Sequence, residues 1–487
     1  MKFLLDTNIF IPLEPTATSD LEATTTLAAR LHRALLESGH KVFLHGASHA
    51  DIARDKDEAR AALRRGLFGK YLVLIDPPSR SSRLLAELGD AEDGTNEWVD
   101  HMLIAAIDAN AVDFLVTEDR RLWRKARRLG LERRIYTIAA ALKYLEDLQS
   151  ANIVPPPAVR ALKAHALDRE DPIFESFRED YPGFDSWFAS CCKNHRQCWM
   201  IAGDGGEIAG FCMVKPEADG AYGLVAPTLK VCSFKVSREH TGLRYGELLL
   251  KAVFDHAHEG SFVSLYVTVL EKQEQLIGLF QDFGFSALSD QTGLNEMVLA
   301  KRMVPLDEST DLVGLDYNVQ FGPFHFDPNV NWHLVPIEPR YSDALFPESA
   351  LIGSLFAGQM AFGNAIRKAY LCRSNTRRIR TGDVLMFYRS HSSQRLVAIG
   401  VVEKVVVSSA ADEIAQAVSR RTVYPMAEIQ EWCAKPVLTI LFRQARVLRR
   451  HIDTAALREN GVFMAPPQAI MQIQEEGKQW LKKQFAM

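Results

Sequence analysis

The chain has 487 residues, 47% of them hydrophobic and 24% charged, with a formal net charge of −4 at pH 7. This is the composition of a soluble globular protein, and it leaves no whole-chain charge arguing for nucleic acid or a membrane surface, so any such binding must be local. The length exceeds one ordinary domain and predicts roughly two to four. No apolar run approaches the roughly 20 residues that span a bilayer, and Asp6 follows the N-terminus too soon for a secretory signal. The seven cysteines are odd in number and none stands in CxxC spacing, which predicts free thiols in a reducing cytoplasm.

In chain order, Phe3-Leu4-Leu5 is a short continuous apolar run that ends on Asp6. It reads as a buried strand of a parallel sheet, with a carboxylate at the sheet's carboxyl edge, where ligands bind in open α/β folds. The plainer reading is that Asp6 caps the next helix. Further strands (KVFLH, YLVLI, FLVT) alternate with helical stretches, as parallel α/β sheets require. Asp51 falls on the helix after KVFLH, with Asp55 one turn along the same face. Asp100 precedes the apolar face of NEWVDHMLIAAIDANA, and Asp119 follows FLVTE as the opening of another helix. Carboxylates converging on one point repel each other and need a cation, and an all-oxygen set selects a hard ion such as Mg²⁺ or Mn²⁺. Such an ion activates water against a phosphodiester. Thr7 and Thr117 are placed to orient a carboxylate, and Asn8 to hold the first loop. His45 and His49 read better as packed or surface side chains than as ligands. Residues 119–134 hold eight Arg or Lys against two acids. Arg120, Arg121 and Arg124 can face solvent or hold a phosphate backbone, and Gly130 should stop that helix.

Together the hydrophobic-D-T-N opening, the acid after strand two, the acid opening a late helix and the T-x-D after a late strand resemble PIN-domain ribonucleases. The resemblance covers about residues 1–148. It implies a metal-dependent endoribonuclease with Asp6, Asp51, Asp100 and Asp119 as catalytic acids. Asp6, Asp100 and Asp119 would be metal ligands, with Thr7, Asn8, Thr117 and Asp55 in support. That family usually places Glu where Asp51 stands.

The triple proline Pro155-Pro156-Pro157 predicts an extended spacer and a boundary. Beyond it come the strand LKVCSFKV, the turn and helix SREHTGLRYGELLLKAVFDHA, the strand SLYVTV and the closing LIGLFQDFGF. This order resembles a GNAT-type acyltransferase domain. There the turn and the helix N-terminus receive the pyrophosphate of acetyl-CoA, which nominates Val236, Gly242, Arg244, Tyr245 and Gly246. Arg244 replaces the first glycine of the family turn and Thr241 its Q/R. Gln273 stands where the family often has Asn, and Phe280 where its acid is a tyrosine. Phe280 cannot donate a proton. The segment therefore reads equally as a transferase or as a degenerate scaffold. Leu248, Leu249, Ala252 and Val253 read as core.

A second break is expected at 303–330, a stretch rich in turn formers and without clear periodicity. From Pro336 onward the chain more faintly resembles PUA-like domains of the EVE/ASCH type, through FGNAIRKAYLCRS, RTGDVLMFYRS, LVAIGVVEKV and PPQAI. Between 364 and 390 there are seven Arg or Lys and one Asp. Arg367, Lys368, Arg377, Arg378 and Arg380 are the candidate RNA contacts, with Tyr370, Phe387 and Tyr388 interleaved. On a strand, Phe387 and Tyr388 should alternate, one in the core and one out. Trp332 and His333 precede a loop that could close over a ligand.

The expectation is thus a multidomain α/β chain: a PIN-like parallel sheet at 1–150, a GNAT-like α+β domain at 160–303 and a PUA-like β-barrel at 325–487. The leading functional reading is a cytoplasmic, metal-dependent ribonuclease with RNA as partner. The resemblances imply a toxin of a toxin–antitoxin system, restrained by an antitoxin or regulatory protein. One alternative is an N-acetyltransferase acting on tRNA-linked or protein amines through acetyl-CoA, with a non-catalytic PIN domain. The other is a non-catalytic RNA- or protein-binding regulator.

Overall fold

The structure, a computed structural model, describes residues 1–17, 21–22, 24–149, 159–203, 205–217, 220–291, 296–305, 310–350, 365–391, 394–418, 421 and 423–485. The expected spacer at Pro155–Pro157 lies outside these residues. The chain forms two compact units. One is Met1–Ala151 with Thr241–Leu243 and Ala415–Arg420; the other is Asn152–His240, Arg244–Ile414 and Arg421–Met487.

The first unit is built on a parallel sheet of β1 (Lys2–Leu5), β2 (Lys41–Leu44), β3 (Leu72–Val73), β4 (Phe114–Val116) and β5 (Ile135–Tyr136), in the order β3-β2-β1-β4-β5. Phe3, Leu4 and Leu5 are at most 1% exposed, because helices cover both faces of a parallel sheet and leave no polar face for alternation. The strand order reverses between β1 and β4. The carboxyl ends of those two strands are therefore the switch point of the sheet, the place at which ligands bind in open α/β folds. Asp6 and Thr117 are the first residues past those ends, tied by Asp6 N–H donating to the Val116 carbonyl at 3.0 Å.

The second unit holds two sheets. One contains β6 (Val159–Lys163), β7 (Gln197–Ala202), β8 (Ile208–Glu217), β9 (Thr228–Val236), β10 (Ser264–Leu270), β11 (Ser286–Gln291) and β12 (Glu296–Arg302), in the order β11-β12-β10-β9-β8-β7-β6. Only β9 and β10 run parallel, joined by the helix Tyr245–Glu259. That helix buries Leu248, Leu249, Ala252 and Val253 against the sheet, as its apolar stripe requires. The other sheet contains β13 (Trp332–Ile337), β14 (Arg367–Cys372), β15 (Val384–Arg389), β16 (Arg395–Ser408), β17 (Val437–Asp453) and β18 (Met471–Gln472), in the order β14-β17-β16-β15-β13-β18. Among the described residues no pairing joins β14 to β18, so the expected barrel is not closed.

The stretch 303–330, expected as a break, contains the helix Gly314–Phe321. Its boundary is set by tertiary contacts: Gly314 N–H donates to Asp327 at 2.8 Å, and the buried Asn318 amide donates to the carbonyls of Pro323 and His325. Among the described residues, no helix is long and apolar enough to cross a membrane.

Candidate functional site

In the first unit Asp6 stands just past the carboxyl end of β1. It caps the helix Thr7–Leu13, accepting from Thr7 N–H at 2.6 Å. Its other oxygen accepts from Asn8 Nδ2 at 2.7 Å and Thr117 Oγ1 at 2.6 Å. Burial, with smaller repulsion from Asp100 and Asp51, pushes Asp6 up to about 7 against the opposing hydrogen bond from Thr117. Asp51, on the helix Ser48–Ala53, accepts from Thr7 Oγ1 at 2.7 Å and pairs with Arg54. Burial raises it too, outweighing Thr7 and Arg54. Asp119 caps the helix Arg120–Arg128, and its N–H donates to Thr117 Oγ1 at 2.9 Å. Thr117 thus links Asp6 to Asp119, and Thr7 links Asp6 to Asp51.

Asp100, on the helix Asn96–Asp108, is raised by burial and by the charges of Asp119 and Glu97, against the pull of Lys125. The Lys125 ammonium lies 2.8 Å from both Asp100 and Glu97. Neither Glu97 nor this role for Lys125 is apparent from the sequence, where Lys125 counts only as part of a basic run. The signal available was that Glu97 precedes Asp100 by one helical turn.

Asp55 is not part of this group. Arg60 and Arg64 grip it at 2.7 Å each, and the Arg60 hydrogen bond first of all holds it well below the usual carboxylate range. His45 is buried, accepts from Ala47 N–H and is pushed down to about 4 by burial. His49 packs on Phe68. Both histidines are packing residues. Arg120, Arg121 and Arg124 are exposed, and Gly130 ends their helix with φ +67°. The acids have the all-oxygen character that suits Mg²⁺ or Mn²⁺. Among the described residues, however, no three acidic, histidine or cysteine side chains converge closely enough to hold an ion, and Asp100 is already matched with an ammonium.

In the second unit, β9 and β10 pair from Thr228↔Ser264 to Val231↔Val267 and then part. The remainder of β9 stays on β8, where Val236 opposes Gly210, and the remainder of β10 stays on β12. The parting opens a wedge beside the start of the helix Tyr245–Glu259. Two neighbouring strands with free inner edges offer backbone N–H and C=O groups to an extended ligand.

Arg244 begins that helix with φ +65°. The left-handed conformation of the family's glycine is thus kept by a residue with a Cβ, at a cost of about 1 kcal/mol. Its guanidinium turns inward, 3.0 Å from Glu247 and onto the carbonyl of Arg367. Gly242 also has positive φ, at +83°. At Gly246 a Cβ would stand 2.8 Å from Leu279 Cδ2, so the helix start and the helix Glu274–Asp282 pack through that glycine. Tyr245 stacks on His240. Phe280 is fully buried against Phe234 and Phe285 and offers no proton.

Below the wedge lies a cavity of about 400 Å³. Two carboxylates line it, each accepting from a tyrosine: Glu217 from Tyr266 at 2.6 Å and Glu296 from Tyr181 at 2.9 Å. Tyr266 and Lys215 overcome burial to hold Glu217 below its usual value. The sequence reading missed Glu217, Glu296, Tyr181 and Arg196. Two lie on separate strands and two in connecting loops, and they share no motif.

In the third sheet the basic cluster divides. Arg367 faces inward: its N–H donates to Glu247 Oε1 at 2.6 Å and its Nε to Oε2 at 3.2 Å. Lys368 is fully buried and donates to the Leu345 carbonyl. These two are structural, which corrects their assignment to RNA. Arg377, Arg378 and Arg380 are exposed. Phe387 and Tyr388 are both fully buried, contrary to alternation, since β15 is covered on both faces. Phe387 packs on Phe346 and Phe442; Tyr388 packs on Phe463 and bonds Thr454. Tyr370 is 6% exposed. Trp332 and His333 lie in β13, with His333 bonded to Asp383 at 2.9 Å, and are core residues.

A comparison with curated proteins gave no match. Among solved structures, the chain resembles the ASCH protein of Zymomonas mobilis at 12% identity and TM-score 0.25, over 31% of this chain and 94% of that one. It also resembles a GNAT-family acetyltransferase from Staphylococcus aureus Mu50, at 14% identity and TM-score 0.24, over 30% and 100%. A third likeness is a GNAT-family acetyltransferase from Elizabethkingia anophelis with acetyl-CoA bound, at 14% and TM-score 0.23, over 30% and 98%. Residues 163–285, which include the wedge and most of the cavity, match the acetyltransferase (GNAT) family.

Proposed function

We propose that the second unit is an N-acyltransferase that moves an acyl group from an acyl-CoA thioester, such as acetyl-CoA, to an amine held in the cavity. The observation that carries this is the parting of β9 and β10 after Val231 and Val267, directly above the cavity. The amine nitrogen attacks the thioester carbonyl, the C–N bond forms and the C–S bond breaks. The proton shed by the amine goes to Glu296, which sits at the open end of β10, opposite Leu270. With phenylalanine at position 280, the CoA thiolate leaves without a tyrosine acid and takes its proton from water. Arg244 is committed to Glu247, so pyrophosphate binding falls to backbone N–H groups at the helix start. The test is CoA release, followed by a thiol reagent and by mass spectrometry of the amine products, for wild type and Glu296→Gln. Saturating acetyl-CoA that gives neither a thermal shift nor CoA release with any amine would refute the reading.

A second reading is favoured by the crowding of acids around Asp6. We infer that the first unit, taken as a PIN-like domain over 1–150, cleaves phosphodiesters with a divalent ion. That ion, which would supply an activated water, would be held by Asp6, Asp100 and Asp119 only if Lys125 left Asp100 and the three carboxylates drew closer than they stand. The exposed Arg120, Arg121 and Arg124, and Arg377, Arg378 and Arg380 on a PUA-like domain at 325–487, would hold RNA. In this reading the chain is a toxin controlled by an antitoxin. Asp6→Asn and Asp119→Asn should each abolish Mg²⁺- or Mn²⁺-dependent RNA cleavage, and wild-type rates in both would end it.

A further inference from the structure

The cavity of the second unit has a charge pattern that singles out a class of acceptor. Across its floor the strands run β12, β10, β9, β8. Glu296 lies on β12, buried and held by Tyr181. On the far side are Lys230 on β9, Arg196 just before β7, and the Lys215–Glu217 pair on β8. Lys215 and Tyr266 already match Glu217. Arg196 and Lys230 are half-buried, and neither has an ion pair among the described residues. The Arg196 guanidinium contacts the Cys232 thiol at 3.6 Å and lies 5.7 Å from the Trp187 ring. Lys230 lies 5.5 Å from the Tyr266 ring. Lys230 also adds to the positive charge that lowers Glu217, whereas Arg196 faces only a thiol and a ring, weak substitutes for an anion; a half-buried arginine in a cavity is shaped for bidentate binding of a carboxylate or phosphate. Between the two ends the wall is aromatic, from Phe177, Phe184 and Trp187. Two strand spacings separate β12 from β9, about 10 Å between backbones.

We propose that the acceptor is an elongated amine. Its nitrogen meets Glu296, its apolar ring packs on the aromatic wall, and a carboxylate or phosphate at its far end is held by Arg196 and Lys230. The proposal rests on the acyltransferase reading above and adds the substrate class. An amine without the anion leaves the Arg196 guanidinium on the Cys232 thiol and the Trp187 ring alone. An amine with its anion on the adjacent carbon, as in a free α-amino acid, cannot reach both ends.

The probes are 4-(2-aminoethyl)benzoate (a carboxylate), tyramine O-phosphate (a phosphate), phenethylamine (no anion) and phenylalanine (an adjacent anion). With the full chain and acetyl-CoA, kcat/KM for one or both long anionic amines should exceed that for phenethylamine and phenylalanine by roughly ten- to a hundredfold, the value of a charge-assisted hydrogen bond. The carboxylate and phosphate arms identify which anion the site takes. Arg196→Ala should remove that advantage, bringing kcat/KM for the long anionic amines down towards that for phenethylamine. Equal turnover of phenethylamine, or an equal loss on all amines in Arg196→Ala, would overturn the proposal. Saturation-transfer NMR without acetyl-CoA separates this from failure of the acyltransferase reading. If no amine is acylated but the long anionic amines still bind in preference to phenethylamine, and lose that preference in Arg196→Ala, the cavity assignment stands alone. If they show no preference, it falls.

Discussion

Glu247→Gln tests the internal charge network beneath the acyl-CoA wedge. Glu247 is 2% exposed, on the first turn of the helix Tyr245–Glu259. It accepts from Arg244, from Arg367 Nε and from the Arg367 backbone. Burial alone would raise its pKa, but Arg244 and Arg367 outweigh burial and hold it at about 2 against a usual 4.5. At 1.36 kcal/mol per unit, this difference corresponds to about 3 kcal/mol of stability at neutral pH. Removing one partner of a buried ion pair independently suggests ~3–5 kcal/mol. Glutamine keeps the shape and still accepts from the Arg367 N–H, so the lower figure applies. Because the folded pKa is depressed, the contribution is full above about pH 4.5 and is lost as pH falls towards 2. Urea unfolding of the full chain at pH 7 should show the transition of the second unit shifted by about 3 kcal/mol. The gap between wild type and variant should shrink by about 1.4 kcal/mol per pH unit below 4.5. A variant within about 0.5 kcal/mol of wild type at pH 7, or a gap independent of pH, would refute the reasoning.

Asp6 predicts the opposite dependence in the first unit. Its folded pKa is raised to about 7, so its contribution is full below about pH 4 and is lost as pH rises to 7, some 4 kcal/mol in all. Hydrogen exchange of the β1 amides should report that loss in wild type and a flatter profile in Asp6→Asn; parallel profiles would refute it. Asp55→Ala should destabilise the first unit by removing the carboxylate that Arg60 and Arg64 share, whereas Asp119→Asn should leave thermal unfolding nearly unchanged; calorimetry decides. Replacing Arg377, Arg378 and Arg380 together by Ala should weaken RNA binding and flatten its salt dependence. In the same titration, Lys368→Met should change RNA affinity little. A larger effect for Lys368→Met than for the triple variant would contradict the buried placement of Lys368.

Some features followed from the sequence because their causes are local. The run Phe3-Leu4-Leu5 before Asp6 needed only the rule that strands covered on both faces are continuously apolar. Gly130 ended its helix because glycine tolerates positive φ. The strand, turn, helix, strand order around Arg244 marked the segment that matches the acetyltransferase family. Other features had distant causes. A count of basic residues from 364 to 390 does not say which face each takes. Arg367 and Lys368 turned inward because Glu247 and the Leu345 carbonyl, far along the chain, supply their partners. Asp51 and Asp55 look equivalent in sequence, but Arg60 and Arg64 claimed the second. Phe387 and Tyr388 should have alternated, yet packing on both faces of β15 buried both. Arg196 and Glu296 are separated by a hundred residues, and only the strand order β12-β10-β9-β8-β7 makes them opposite ends of one cavity. Local sequence sets backbone conformation and apolar period. Which charges meet, and which stay unpaired, depends on burial and on partners that only the folded chain brings within reach.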